Sequence, residues 1–173
     1  MALFEINATE LGWIGGTQDE PDDLCLHGHA VAFIGGERLE YDCTVSAAAL
    51  YLLKSLTEDH IAGEDNQLLP CCGFFLCPDE RGENVTIVGC GNGADWSVLH
   101  EGGSVRLITA SGRETSVPLG DYAREVCSFA DEVAAYYAAC APKPEPGDEF
   151  ERRGWAAFRR EWERRREEAR RLI

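Results

Sequence analysis

The sequence predicts an α+β fold, in which an antiparallel sheet, made of a hairpin and a meander, packs with two helices and is followed by a C-terminal arginine-rich amphipathic helix. Three observations support this prediction. β-rich runs separated by glycine alternate with helical segments over most of the chain. The apolar spacing changes to the helical period near Thr44 and again near Asp121. A proline-rich stretch at residues 142–147 then separates an acidic body from an arginine-rich tail.

A β-hairpin is predicted close to the start of the chain, after a first short strand over residues 2–7. Residues 24–34 and 37–43 are β-rich, and the dipeptide Gly35-Gly36 joins them. Two glycines between β-rich runs are typical of a tight hairpin turn, because both central residues of such a turn adopt positive φ.

A first helix is predicted directly after the hairpin, over residues 44–56. Thr44 or Ser46 is available as its N-cap, and the helix should pack on the hairpin. Its apolar residues recur at helical spacing and are Val45, Ala49, Leu52, Leu53 and Leu56.

An antiparallel meander, covered by a second helix, is predicted in the middle of the chain. This helix should open at Gly120-Asp121, with Asp121 as its cap, and end near Cys140. Glycines separate the predicted strands of the meander, which are residues 73–77, 84–90, 95–100, 104–109 and 113–119.

The prolines predict a three-part organisation: an α+β body at 1–141, a semi-rigid linker at 142–147 and a helix at 148–173. Residues 1–147 contain 24 Asp and Glu against 7 Lys and Arg, whereas the remaining residues contain 7 acids against 9 arginines. The contrast between these two surfaces favours a role in interaction over one in catalysis.

Three aromatic residues of the tail are the predicted partner-binding residues. Trp155, Phe158 and Trp162 follow one another at i, i+3 and i+7, so they share one face of the predicted helix. An isolated helix of this length is only marginally stable in water, so this face must be buried. The body of the same chain, a second copy and another protein are the three alternatives for what covers it.

Composition excludes several other classes of function. The strongly acidic body should repel nucleic acid, whose affinity for proteins comes mainly from Lys and Arg. The chain shows no signal peptide and no apolar run long enough for a membrane span, which predicts a cytoplasmic location. In that compartment most of the eight cysteines should be free thiols, and no cofactor motif is present.

The most metal-like pattern in the sequence is Cys25-Leu-His27-Gly-His29. On a strand these three side chains would project from one face, and thiolate with imidazole is a ligand set that zinc prefers. Further ligands could come from Cys71-Cys72 and Cys77. The paired spacing of known zinc motifs is missing, however, and a half-buried strand shows the same alternation, so no metal site is assigned.

Catalytic residues are likewise not assigned. Cys90 could pair with His60 or His100, but no orienting group is identifiable from the sequence. The glycine-rich run around Cys90, at residues 89–93, lacks the following helix and the Gly-Lys-Ser/Thr of a phosphate loop. It is more typical of a turn that needs positive φ.

Three runs, at residues 89–100, 117–126 and 154–162, resemble small bacterial proteins of unknown function, a resemblance that covers mainly the second half of the chain. That family brings no catalytic residues with it. In size, acidity and α+β build the chain is also similar to immunity proteins that neutralise polymorphic toxins, many of which are basic nucleases.

These observations lead to a hypothesis of a non-enzymatic protein–protein interaction module, of the immunity type, that binds a basic partner. The alternatives are a structural or homo-oligomerising protein and a Cys/His metal protein or enzyme that uses Cys25, His27 and His29, or Cys90 and His100.

Overall fold

The structure contains ten strands and three helices, in a computed structural model that describes residues 2–173. The α+β class expected from the sequence is confirmed. The strands are β1 (Phe4–Gly12), β2 (His27–Ile34), β3 (Glu37–Thr44), β4 (Leu69–Pro70), β5 (Phe75–Pro78), β6 (Val85–Val88), β7 (Gly93–Ala94), β8 (Trp96–Glu101), β9 (Ser104–Thr109) and β10 (Glu114–Pro118). The helices are α1 (Val45–Lys54), α2 (Leu119–Ala139) and α3 (Glu149–Arg170).

The strands form two three-stranded antiparallel sheets and two short pairs. One sheet has the order β1-β2-β3 and the other β10-β9-β8, while β4 pairs with β7 and β5 with β6. The hairpin and the meander were expected to form one sheet, but in the structure they belong to separate sheets. The loop residue His60 exchanges backbone hydrogen bonds of 2.9 and 2.8 Å with Val98 of β8. It therefore occupies the edge of β8 that is not paired with β9.

The predicted hairpin is confirmed as β2 and β3. Ile34 lies opposite Glu37 across the turn, and Gly35 and Gly36 have φ values of +55° and +86°. Both values lie in the region that favours glycine, which explains the dipeptide. β1 extends this hairpin to a third strand, with Phe4 opposite Ile34.

α1 lies at the centre of the core, where eight of its ten residues are buried. Thr44 occupies the N-cap position as predicted, but its hydroxyl makes no capping hydrogen bond. The hydroxyl of Ser46 is also used elsewhere, because it accepts a hydrogen bond of 3.2 Å from the backbone N–H of Leu26. The predicted side-chain cap is therefore wrong, and α1 is stabilised by burial instead.

α2 begins two residues earlier than Asp121, so the predicted capping by this residue is also wrong. Pro118 still pairs with Ser104 as the last residue of β10, and the N–H of Leu119 donates to the carbonyl oxygen of Gly103 at 2.9 Å. The strand thus continues directly into the helix. Asp121 lies in the first turn, where a carboxylate interacts favourably with the helix dipole.

α3 starts where the sequence predicted a C-terminal helix, after a stretch at residues 140–148 that has neither helix nor strand. The carboxylate of Asp148 caps it by accepting a hydrogen bond of 3.0 Å from the N–H of Glu151. No helix within residues 2–173 has the length and apolar character needed to cross a membrane.

α3 packs on the body, against β5, β6, α1 and α2. The backbones of α3 and β5 approach closely at Gly154, because a Cβ atom added there would lie 2.2 Å from the carbonyl oxygen of Leu76 on β5. Only glycine allows the two backbones to come this close.

A buried carboxylate fixes the other half of α3. Glu161 is 1% exposed, and one of its oxygens accepts a hydrogen bond of 2.8 Å from the backbone N–H of Val85 at the start of β6. Its other oxygen lies 3.3 Å from Lys54 Nζ and 3.4 Å from Arg165 Nε. Glu161 is therefore both hydrogen-bonded and paired with cations, as a buried charge must be.

Replacing Trp155 or Trp162 by alanine should lower the free energy of unfolding by about 3–5 kcal/mol, because each ring is almost fully buried in this chain. Phe74→Ala is the matched control, since its exposed ring should contribute within about 0.5 kcal/mol. Urea denaturation monitored by circular dichroism measures all three variants. Unchanged stability of both tryptophan variants at every protein concentration would contradict intramolecular docking.

Gly154→Ala should destabilise the protein by about 1–3 kcal/mol, although alanine favours helices, because the added methyl group meets the Leu76 carbonyl. Gly120→Ala in α2 is the control. The nearest heavy atom to its added Cβ is at 3.4 Å, so stability should stay equal or rise by up to about 1 kcal/mol. Thermal unfolding compares the two, and equal melting temperatures would argue against the close backbone contact.

Candidate functional site

The three aromatic residues predicted to bind a partner lie between α3 and the body. Trp155, Phe158 and Trp162 are 7%, 6% and 7% exposed, and their rings stack in a row with centroid distances of 5.6 and 5.9 Å. Their edges line a groove of about 700 Å³ between α2 and α3. Within this chain the rings serve the docking of α3, and their contact with a partner stays a prediction.

A different set of apolar side chains is exposed. Ile14, Phe74, Phe75 and Phe150 are 81%, 68%, 50% and 43% exposed. All four line one cavity of about 440 Å³, and we call them the apolar patch. Large apolar side chains that gather at one place on the surface mark an interaction site more often than single ones do.

Local structure explains why these side chains remain outside. Successive residues of a strand point to opposite faces, so Leu76 of β5 is buried while Phe75 faces solvent. The ring of Phe75 lies 5.7 Å from that of Phe150, in the first turn of α3. Ile14 is presented by the loop after β1, where its N–H donates to Asp23 Oδ2 at 2.8 Å.

Carboxylates surround the apolar patch and form what we call the acidic rim: Glu20, Asp22, Asp23 and Glu151. Asp23 and Glu20 also shape the loop, since Glu20 Oε2 accepts a hydrogen bond of 2.7 Å from the N–H of Gly15. Within the described residues, Asp22 and Glu151 have no basic partner, and no Lys or Arg lines the cavity. The site therefore combines exposed apolar rings with negative charge. Lys143 lies near Glu20 and Asp23, so the uncompensated part of this charge is on Asp22 and Glu151.

The apolar run at residues 73–77 predicts a short strand, but this prediction does not say which of its side chains stay exposed. A signal was nevertheless present. Phe74 and Phe75 are consecutive, and two consecutive side chains of a strand cannot both face the same core. The contributions of Ile14 and Phe150 could not be found in this way, because they depend on how a loop and a helix meet β5.

The structure separates Cys25 from the other two metal candidates: His27 and His29 line one surface pocket with Cys71, whereas Cys25 lines a different cavity. Cys25 is buried before β2, its Sγ donates to the carbonyl oxygen of Gly73 at 3.6 Å, and burial raises its pKa to about 12. His27 lies 3.3 Å from Asp23. Among residues 2–173 no group of three or more ligating side chains is arranged to hold a metal ion.

His29 lies on the open face of the first sheet, between two carboxylates. Its ring nitrogens are 2.7 Å from Asp42 Oδ1 and 3.0 Å from Glu40 Oε2. The hydrogen bond with Asp42, and then that with Glu40, raises the pKa of His29. The two carboxylates contact opposite edges of the ring, so this arrangement stabilises an imidazolium rather than a shared metal ion.

The proposed pairs of Cys90 with histidine are not formed. His60 Nε2 lies 2.8 Å from Asp95 Oδ1, and His100 Nε2 lies 3.0 Å from the carbonyl oxygen of Ser55. Cys90 instead lies beside Cys71 and Cys72. We call these three residues the thiol cluster. The backbone N–H of Cys90 donates to Cys72 Sγ at 3.0 Å.

Hydrogen bonds concentrate negative charge on one sulfur of the thiol cluster. The backbone N–H of Asn92, and then the Cys72 thiol, donate to the Cys90 sulfur and lower its pKa to about 7. The hydrogen bonds of Cys71 and Cys72 with the Cys90 sulfur are the largest cause of the raised pKa of each of these two thiols. Cys90 is therefore the first of the three to become a thiolate.

The glycine-rich run forms the turn that presents Cys90. Gly91 and Gly93 have φ values of +80° and +157°, and β7 follows instead of a helix. The prediction of a turn with positive φ is confirmed.

Comparisons of the chain with protein-family models, with curated proteins and with solved structures gave no match. The resemblances to small bacterial proteins and to immunity proteins therefore stay predictions, and the functional proposal depends on the geometry of the chain itself.

Alkylation of Cys90 by iodoacetamide should increase as pH rises through about 7, because the thiolate is the reactive form and the pKa of Cys90 is about 7. Cys43, buried and with a pKa raised to about 12, is the internal control and should stay unmodified in the folded protein. Peptide mapping by mass spectrometry measures both. A Cys90 profile centred near pH 9 would contradict the hydrogen-bonded thiolate.

Proposed function

We propose that the protein is a non-enzymatic interaction module that binds a basic protein partner through the apolar patch and its acidic rim. The observation that carries this proposal is the gathering of four exposed apolar side chains, three of them phenylalanines, around one cavity whose charged lining is entirely acidic.

The exposed rings provide the affinity in this proposal. An aromatic side chain buries roughly 150–250 Å² when it is covered, and aromatic anchors dominate the binding energy of most protein interfaces. Phe75 and Phe150 already contact each other, so little side-chain freedom remains to be lost when a partner covers them.

The acidic rim provides the selectivity. Asp22 and Glu151 favour a partner that places Lys or Arg around an apolar anchor, and the formal net charge of −15 accelerates encounter with a positively charged protein. A homodimer through this patch would bring two acidic rims together, because a two-fold interface pairs the same surface with itself. Charge therefore favours a different, basic protein over a second copy.

An immunity-type role is the most specific form of the proposal. A toxin that acts on nucleic acid needs a basic surface to contact phosphates, and such a surface complements the acidic rim. Among the described residues, the histidines contact carboxylates and a backbone carbonyl rather than a hydroxyl or thiol nucleophile, which supports a binding role over hydrolytic chemistry.

The test is capture of the partner from the native cell by the immobilised full-length protein. Phe74→Ser/Phe75→Ser should reduce the captured amount of a basic protein by at least about tenfold, and Asp22→Asn/Glu151→Gln should weaken the dependence of capture on salt. The control is Ile61→Ser, which removes an exposed apolar side chain outside the patch. Deletion of residues 148–173 is unsuitable, because α3 is part of the core.

Equal capture by the Phe74→Ser/Phe75→Ser variant, or an acidic captured protein, would contradict the proposal. Size-exclusion chromatography adds a second readout. A dimer that the same variant abolishes would assign the patch to self-association instead. If the captured protein is a nuclease, its inhibition by the wild-type chain and not by the patch variant would establish the immunity-type role.

A further inference from the structure

We propose that the thiol cluster is a site of reversible modification by low-molecular-weight disulfides, with Cys90 as the attacking thiol and Cys72 as the resolving thiol. This inference goes beyond the interaction function and does not depend on it.

Two separate chain segments build the site. Cys71 and Cys72 follow β4, and Cys90 lies between β6 and β7. The pairing of β4 with β7 brings them together, with the N–H of Cys71 donating to the carbonyl oxygen of Asn92 at 2.9 Å. A Cβ atom added to Gly89 would lie 2.5 Å from the carbonyl oxygen of Cys72, so the two backbones touch directly beside the sulfurs.

Exposure distinguishes Cys90 from the structural thiols. Cys90 is exposed at a turn, whereas Cys25 and Cys43 are buried and their pKa values are raised to about 12. The side-chain amide of Asn92 lies 3.5 Å from the Cys90 sulfur and donates to it, which stabilises the thiolate. Accessible cysteines with such stabilisation are the ones that react with disulfides.

The reaction has two exchange steps. The Cys90 thiolate attacks one sulfur of a small disulfide RSSR, which breaks the S–S bond, releases RS⁻ and leaves a Cys90–SR mixed disulfide. The Cys72 thiol then loses its proton and attacks the Cys90 sulfur, which expels the second RS⁻. The released thiolates take up the two protons of the protein thiols. In sum, two protein thiols are oxidised to a Cys72–Cys90 disulfide, and RSSR is reduced to two RSH.

Position favours Cys72 over Cys71 as the resolving thiol. Cys72 Sγ is held 3.0 Å from the backbone nitrogen of Cys90, and its side chain is only half-exposed. Cys71 is exposed and is also hydrogen-bonded with Tyr41 on β3. A bond between the adjacent Cys71 and Cys72 would require a strained geometry in the connecting peptide.

The test is incubation of the reduced protein with oxidised glutathione, followed by peptide mapping. Wild type should form a Cys72–Cys90 disulfide that dithiothreitol reverses. Cys72→Ser should instead accumulate a glutathione mixed disulfide at Cys90, and Cys90→Ser should form neither product. In the wild type, Cys90 should react at least about tenfold faster than Cys140, which lies outside the cluster at the end of α2.

Cys140→Ser is the matched control and should behave as wild type. Far-ultraviolet circular dichroism confirms that each variant is folded, which is expected because Cys90 is exposed and Cys72 half-exposed. Modification of Cys90 no faster than of Cys140, or a Cys71–Cys90 disulfide in the wild type, would overturn the assignment.

Discussion

The docking of α3 on the body is the interaction on which the rest of the structure depends. It needs three matched features: the stacked row of Trp155, Phe158 and Trp162, the backbone contact at Gly154, and the buried carboxylate of Glu161 on the N–H of Val85. The rings supply the apolar burial, since surface ion pairs contribute at most about 1 kcal/mol each. Glu161 fixes the register, because a buried carboxylate is tolerated only where its partners meet it.

The same docking determines what remains for a partner. Arg165 and Arg166 of α3 pair with Glu58 and Asp131, so two cations of the tail are used inside the chain. Asp22 and Glu151 keep their charge uncompensated among the described side chains. Phe150 reaches Phe75 only because α3 begins beside β5. The contrast between acidic body and basic tail thus reflects internal packing.

Sequence patterns predicted the elements that are determined locally. Gly35-Gly36 identified a hairpin turn, and helical spacing identified three helices, because these signals act over a few residues. The division into separate sheets was missed, since it depends on long-range pairings such as that between His60 and Val98. The apolar patch and the thiol cluster were missed for the same reason, as each joins segments that only the tertiary fold brings together.

The β5–β6 hairpin connects the two candidate sites. Its outer face carries Phe75 with Val88 directly opposite. At its open end, Cys72 lies three residues before Phe75 and Cys90 lies two residues after Val88. An uncovered edge strand would invite strand addition by another chain, but the Leu76 carbonyl lies against Gly154 of α3. The helix therefore packs on the backbone of β5 at Leu76, while the side chain of Phe75 stays exposed. In the proposed interface a partner would therefore contact rings and carboxylates rather than free backbone groups of Leu76, which is the mode of binding that the acidic rim favours.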